Sequence, residues 1–284
     1  MKFSAKMKVS ASKSATSPSR KTLGAILPNR GETDNEHQRK ICTFATILKY
    51  NQDTRMAEKK QVTANEIYDL LLNEFKIREQ IGSVEIILGG ISAKYNGKDA
   101  IGDLLQEWLG EWLKQKNFYF RTRVNTQEFP DFLLAEDDKS GFLEIKTFNA
   151  NATPAFDIAN FDSYNTSLLI KPERLDADYL IFGYKMVDSV LSVDNLWLMK
   201  VWEMAGTSGA NPVNMQTKNS QPYNLRPIKW YAKNPKNKPF ADKLSFLNAI
   251  AETLEKYSHS TGSYSENWLK NVKKKYFENT GIKL

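Results

Sequence analysis

The chain has 284 residues, of which 41% are hydrophobic and 12% aromatic, enough to bury a sizeable core in one large domain. Its apolar runs are all shorter than the roughly 20 residues that a membrane-spanning helix needs, so we expect a soluble, cytoplasmic protein with no membrane partner. A single cysteine and two histidines exclude an intrachain disulfide and the Cys/His ligand sets of structural zinc sites. The same scarcity disfavours histidine-based catalysis.

The formal net charge of +7 is unevenly distributed along the chain. Residues 1–55 carry eleven basic and four acidic side chains, residues 56–228 carry eighteen and twenty-four, and residues 229–284 carry eleven and five. An acidic middle next to a basic C-terminal part is expected if one region holds cations and another contacts phosphate. Solvated surface helices would give similar sums, so the charge alone leaves both interpretations open.

The first 55 residues are rich in Ser, Lys and Ala and show little apolar periodicity, which predicts a basic, flexible N-terminal extension. Residues 56–284 are predicted to form a single domain with a helical C-terminal part. Because Met56 directly precedes the first regular pattern, one hypothesis is that residues 1–55 are an upstream extension of the reading frame.

Two amphipathic helices separated by a short strand are predicted at the start of this domain. Thr63 and Glu66 have the spacing of a capping box, and apolar residues follow at helical intervals. VEIIL, residues 84–88, is a candidate strand, and residues 99–115 form a second helix with a broad apolar stripe. The acidic residues of this second helix are Asp103, Glu107 and Glu111.

The middle of the domain is predicted to be β-structure, because its apolar runs are rich in aromatic and β-branched residues. These runs are FYFRTRV (118–124), DFLLAE (131–136), GFLEIKTF (141–148) and DYLIFGYKMV (178–187). Helical patterns return at residues 240–257 and 265–277. This order predicts an α/β fold, with a central mixed β-sheet flanked by helices.

The stretch FPDFLLAEDDKSGFLEIKTF, residues 129–148, combines apolar strands with charges that a buried sheet would not be expected to carry. Its polar linker, which ends in glycine, predicts a hairpin, and strand alternation places Glu144 and Lys146 on one face. If Asp131 begins the neighbouring strand on that face, two carboxylates and an ammonium group converge. Two adjacent carboxylates favour a bound cation, and hard oxygen ligands suit Mg²⁺.

Such a site could hydrolyse a phosphodiester without histidine or cysteine. Asp131 and Glu144 would hold Mg²⁺, Lys146 would contact the phosphate or orient the attacking water, and Glu107 could face the same pocket. The alternative is an ordinary hairpin with solvent-facing charges and, for Glu107, a solvated helix face.

The same residues resemble the PD-(D/E)xK nuclease signature, with Pro130 and Asp131 followed after twelve residues by Glu144, Ile145 and Lys146. The flanking segments are similar to type II restriction endonucleases of the NgoBV/NlaIV family over residues 62–257. The resemblance implies a restriction-endonuclease-like core and Mg²⁺-dependent cleavage of double-stranded DNA at a short palindrome, of the GGNNCC type in the nearer relatives. It also implies a homodimer and a cognate DNA methyltransferase as genetic partner.

Reading of base edges needs side chains with paired donors or acceptors, and residues 214–230 are dense in such groups. The candidate DNA-binding residues are Lys218, Gln221, Asn224, Arg226 and, directly after the proposed catalytic strand, Asn151. Each could instead belong to an ordinary polar loop or turn.

Two further functions fit the sequence. A DNA repair or junction-resolving nuclease would use the same chemistry but cut by DNA structure, not by sequence. A non-catalytic DNA-binding protein would bind DNA independently of Mg²⁺ and of Asp131. The non-catalytic function is less consistent with acids set into apolar strands, because these carboxylates would repel phosphate in the absence of a metal.

Overall fold

The computed structural model describes residues 59–97, 99–125 and 128–284, which fall within one compact unit. The predicted N-terminal extension lies outside the described residues. The α-helices are α1 (Ala64–Asp69), α2 (Ile101–Gln115), α3 (Phe161–Ile170), α4 (Val201–Met204), α5 (Lys243–Lys256) and α6 (Trp268–Thr280). The strands are β1 (Ile81–Ser83), β2 (Glu85–Leu88), β3 (Ile91–Lys94), β4 (Phe132–Leu133), β5 (Phe142–Asn149), β6 (Ala159–Asn160), β7 (Asp178–Val187), β8 (Val190–Met199), β9 (Met215–Lys218) and β10 (Gln221–Leu225).

A five-stranded sheet forms the centre of the fold, in the order β1-β8-β7-β5-β4. Only β5 and β7 run parallel in this sheet, and its other neighbouring strands are antiparallel. Strand β7 lies between β5 and β8, and its side chains point alternately into the hydrophobic cores on the two faces of the sheet. This burial on both faces explains its nearly uninterrupted apolar sequence. The predicted mixed sheet flanked by helices is thus confirmed.

Helices cover this sheet on both faces, and each face has its own hydrophobic core. On one face Ile145, Leu180 and Phe182 pack with residues of α1 and α2. On the other face Tyr179 and Ile181 pack with residues of α3, α5 and α6. Among the described helices, none combines the length and apolar character needed to cross a membrane.

Local sequence signals explain several helix boundaries. Thr63 caps α1 by accepting a hydrogen bond from the Glu66 backbone N–H, while the Glu66 side chain accepts one from the Thr63 backbone N–H, as the capping box predicts. Gly281, at φ 73°, ends α6 in the left-handed conformation that glycine adopts at little cost.

The sequence interpretation was wrong for one strand and incomplete for others. Residues 118–124 form no regular strand and make only isolated bridges, at Phe118 and Arg121. The run 131–136 contributes only the two residues of β4, and 84–88 belongs to an exposed hairpin formed by β2 and β3. Strands β1, β3, β6, β8, β9 and β10 were not predicted, because they are short or mix polar and apolar residues, which weakens their local pattern.

Candidate active site

The predicted hairpin between β4 and β5 is present, with Phe132 opposite Leu143 and Leu133 opposite Phe142. Its turn is organised by Asp137, whose Oδ1 accepts hydrogen bonds from the backbone N–H groups of two residues that follow it, Lys139 and Ser140. The Asp137 carboxylate therefore stabilises the turn, as expected for aspartate, whose side chain hydrogen-bonds to backbone groups in loops.

At the other end of the hairpin, Asp131 and Glu144 lie side by side. The Asp131 backbone N–H donates to Glu144 Oε2 at 3.3 Å, and the Ile145 backbone N–H donates to Asp131 Oδ2 at 2.7 Å. Lys146 Nζ lies 3.0 Å from Glu144 Oε1, and both side chains are largely buried. The structure therefore brings together the three residues that the sequence singled out as a catalytic group.

The two carboxylates are electrostatically strained. Burial and then repulsion from Glu144 raise the pKa of Asp131 from 3.8 to about 7. The hydrogen bond from Ile145 and the charge of Lys146 act in the opposite direction but are outweighed. A site in which two acids repel each other is relieved by a bound cation.

The donor set fits a hard divalent cation in part. Asp131 and Glu144 supply carboxylate oxygens, which Mg²⁺ prefers, and Mg²⁺ is commonly held by only one or two carboxylates together with water and substrate phosphate. Within the residues that the structure describes, no group of three or more acidic, His or Cys side chains is arranged to hold a metal. A cation here would thus rest on the carboxylate pair.

These residues open into a cleft of about 800 Å³. Its walls come from the start of α2, from β5, from the loop before β6 and from the segment between α3 and β7. Asp103, from the first turn of α2, lines this cleft and raises the pKa of Asp131 slightly by repulsion. Glu107 is exposed one turn further along and lines, with Asp131, a smaller neighbouring cavity of about 200 Å³.

The proposed DNA-contacting residues fall into two groups. Lys218 and Gln221 are exposed at the tip of the β9–β10 hairpin, and Asn151 is exposed after β5, where its backbone N–H donates to Asn149 Oδ1. Asn224 is largely buried in β10.

Arg226 is engaged within the protein. Its Nε lies 2.7 Å from Asp157 Oδ1, and its Nη2 donates to Gln216 Oε1 at 2.7 Å. Arg226 is thus held by an ion pair with Asp157, and Asp157 lines the cleft.

Sequence reasoning passed over three residues of this cleft. Asp103 was identified only as one of three acids on its helix, and neither Asp157 nor Arg174 was singled out. Helical spacing could have identified Asp103, because Asp103 lies four residues before Glu107 and residues four apart share one face of a helix. No local signal marks Asp157 or Arg174, because their place in the cleft depends on contacts between distant segments.

The chain is similar to a known protein family and to individual members of it. The family model described as NgoBV restriction endonuclease matches residues 61–284. The type II restriction enzyme NlaIV of Neisseria lactamica is 42% identical over 197 residues, covering 68% of this chain and 81% of that protein. The type II restriction enzyme NgoBV of Neisseria gonorrhoeae is 38% identical over 160 residues, covering 56% of this chain and 91% of that protein.

A solved structure of the NlaIV restriction endonuclease superposes with a TM-score of 0.75 at 36% sequence identity, covering 81% of this chain and 94% of that one. The chain therefore belongs to the NgoBV restriction endonuclease family and is a type II restriction enzyme, a site-specific endonuclease.

Proposed function

We propose that this enzyme cleaves both strands of DNA at a short palindrome by Mg²⁺-dependent hydrolysis, with Asp131, Glu144 and Lys146 as the catalytic group. The observation that carries the proposal is the convergence of two repelling carboxylates and one ammonium in a single open cleft. Double-strand cleavage at a palindrome further suggests a homodimer, because a two-fold axis relates the two half-sites.

Asp131 and Glu144 would hold the metal ion, which when bound would stabilise charge on the phosphate and lower the pKa of a water molecule. The Ile145 N–H holds Asp131 in place, and Lys146 is held by Glu144. Lys146 can then orient the attacking water or bind a non-bridging phosphate oxygen. Glu107, exposed at the adjacent cavity, remains a further candidate for the catalytic group.

The biological setting and the recognised sequence form the finer part of the proposal. Similarity to the NlaIV and NgoBV enzymes supports a site of the GGNNCC type, a restriction-modification system with a cognate DNA methyltransferase, and a cytoplasmic location. Lys218, Gln221, Asn224, Arg226 and Asn151 are the proposed DNA contacts. A DNA contact by Arg226 requires that its ion pair with Asp157 opens when DNA binds, and a contact by Asn224 requires that this residue leaves its buried position.

Incubation of the purified protein with phage DNA, in Mg²⁺ or in EDTA, tests the proposal. We expect discrete fragments in Mg²⁺ only, and loss of cleavage in Glu144→Gln and Lys146→Met. Glu136→Gln and Lys139→Met are matched controls, because they make the same changes at exposed positions on the same hairpin. Cleavage by Glu144→Gln at the wild-type rate would move the active site elsewhere.

The fragment pattern also separates the junction-nuclease alternative. Cutting of branched DNA irrespective of sequence, without discrete fragments from linear duplex, would favour that function. The non-catalytic alternative is disfavoured because the chain belongs to an endonuclease family.

A further inference from the structure

Arg174 lines the wall of the proposed catalytic cleft but does not belong to the proposed catalytic group. It lies in the short 3-10 helix Pro172–Asp176, between α3 and β7, and lines the same cleft as Asp131, Glu144 and Lys146. Tyr179 links the two regions, because its hydroxyl interacts electrostatically with both Arg174 and Glu144.

The side chain of Arg174 is held in a defined orientation. Its guanidinium carbon lies 4.0 Å from the ring centroid of Phe129 and 4.8 Å from that of Tyr164. Nη1 donates to Ser167 Oγ at 3.1 Å. Two aromatic faces and one hydrogen bond thus fix the guanidinium plane, so little side-chain freedom would be lost on binding a ligand.

Arg174 also lacks a counter-charge. No carboxylate of the described residues makes an ion pair with it, whereas Lys200 pairs with Asp178 at 2.6 Å and Lys243 pairs with Asp176. Within the same described residues, the polar groups that Arg174 meets include the neutral hydroxyls of Ser167 and Tyr179. A partly buried cation without a carboxylate partner is costly, so an anionic group that enters the cleft would be bound favourably.

We propose that Arg174 binds a phosphate group of the DNA backbone in the catalytic cleft. The inference rests on the proposed function of the cleft, and it assigns a ligand to a residue outside the catalytic signature. The planar guanidinium can present two parallel donors to phosphate oxygens, which a lysine cannot do. Arg174 lines the same cleft as Asp131 and Glu144, so a phosphate bound by Arg174 would lie in the cleft that contains the proposed metal-binding carboxylates.

A purely structural role is the competing explanation, since Arg174 packs on Phe129 and Tyr164. Arg174→Met retains much of this packing and removes the charge, whereas Arg174→Lys retains the charge and removes the paired donors of the guanidinium. Arg78→Met is a matched control, because Arg78 is exposed outside the cleft, and its hydrogen bond within the described part of the chain goes to the backbone carbonyl of Asp194.

The test measures three quantities for each variant. The first is the dependence of DNA binding on KCl concentration, measured in EDTA with a short duplex that contains the mapped cleavage site. The second is the single-turnover cleavage rate at saturating enzyme, and the third is the midpoint of thermal unfolding. For Arg174→Met we expect the slope of log K against log salt to fall by about one, because one phosphate contact is lost. The cleavage rate should fall on the order of 100-fold, with the thermal midpoint nearly unchanged.

Arg174→Lys should keep the wild-type slope but cleave on the order of tenfold more slowly, since phosphate binding would continue without the bidentate geometry. If Arg174→Met does not fold, Arg174→Lys tests the proposal alone, and an unchanged cleavage rate in Arg174→Lys would overturn it. A wild-type slope and rate in folded Arg174→Met would also overturn it, as would an equal loss of slope in Arg78→Met.

Failure of this inference is distinguishable from failure of the proposed function. If Glu144→Gln abolishes cleavage while Arg174→Met behaves as wild type, only the role of Arg174 is wrong. If the wild-type protein produces no discrete fragments in Mg²⁺, or if Glu144→Gln remains active, the proposed function itself fails.

Discussion

Asp131→Asn should stabilise the metal-free protein at neutral and alkaline pH while abolishing cleavage. The substitution removes a carboxylate whose pKa is raised to about 7 by burial and by Glu144. The asparagine carbonyl can still accept the hydrogen bond from the Ile145 N–H, and its amide could donate to Glu144, so the local structure should persist.

The magnitude follows from the pKa change. Between pH 3.8 and about 7 the folded protein retains the Asp131 proton while the unfolded chain has released it, so the free energy of unfolding falls as pH rises. A shift of this size corresponds to about 4 kcal/mol at about 1.4 kcal/mol for each pKa unit. Because water enters the open cleft and the two carboxylates can move apart, we expect about 2 kcal/mol to be measured.

Urea unfolding in EDTA at about pH 5 and about pH 8 provides the assay, with the difference in unfolding free energy between Asp131→Asn and wild type as the readout. This difference should be positive and larger at the higher pH, where it corresponds to about 4–8 °C in thermal midpoint. Asp69→Asn is a control, because Asp69 is exposed on α1. A difference that does not change with pH, or a less stable Asp131→Asn at the higher pH, would refute the reasoning.

Two further predictions concern the helix acids and the hairpin turn. Asp103→Asn should raise the Mg²⁺ concentration for half-maximal cleavage several-fold, because Asp103 shares the cleft with Asp131 and acts on it electrostatically. Glu107→Gln should have a smaller effect on this concentration, and equal effects would contradict the greater role of Asp103. Gly141→Ala should lower the free energy of unfolding by about 1–3 kcal/mol in urea titrations, because Gly141 has φ +65° and an added Cβ would lie 2.7 Å from the Ala135 backbone nitrogen. An unchanged unfolding midpoint for Gly141→Ala would show that the turn relaxes freely.

Much of the fold was readable from local patterns. The capping box, the apolar stripe of α2 and the long apolar run of β7 each depend on residues close in sequence, and the structure has all three elements. The strand prediction for residues 118–124 was wrong because two of its aromatic residues pack on other rings without forming a strand. Phe118 packs at a tilt against Trp112, and Phe120 packs edge-on against Phe132. β-Propensity reports such packing as readily as it reports strand pairing.

The sequence by itself determined the β4–β5 hairpin that carries the proposed catalytic group. Strand alternation places Glu144 and Lys146 on one face, and Asp131 is only thirteen residues before Glu144. Only the tertiary structure decided which other charges join them. It placed Asp103 in the cleft, tied Arg226 to Asp157, and left Arg174 facing the cleft without a carboxylate partner among the described residues. These outcomes depend on how α2, β10 and the turn before β7 pack around β5, and no periodicity within one segment encodes a contact between segments.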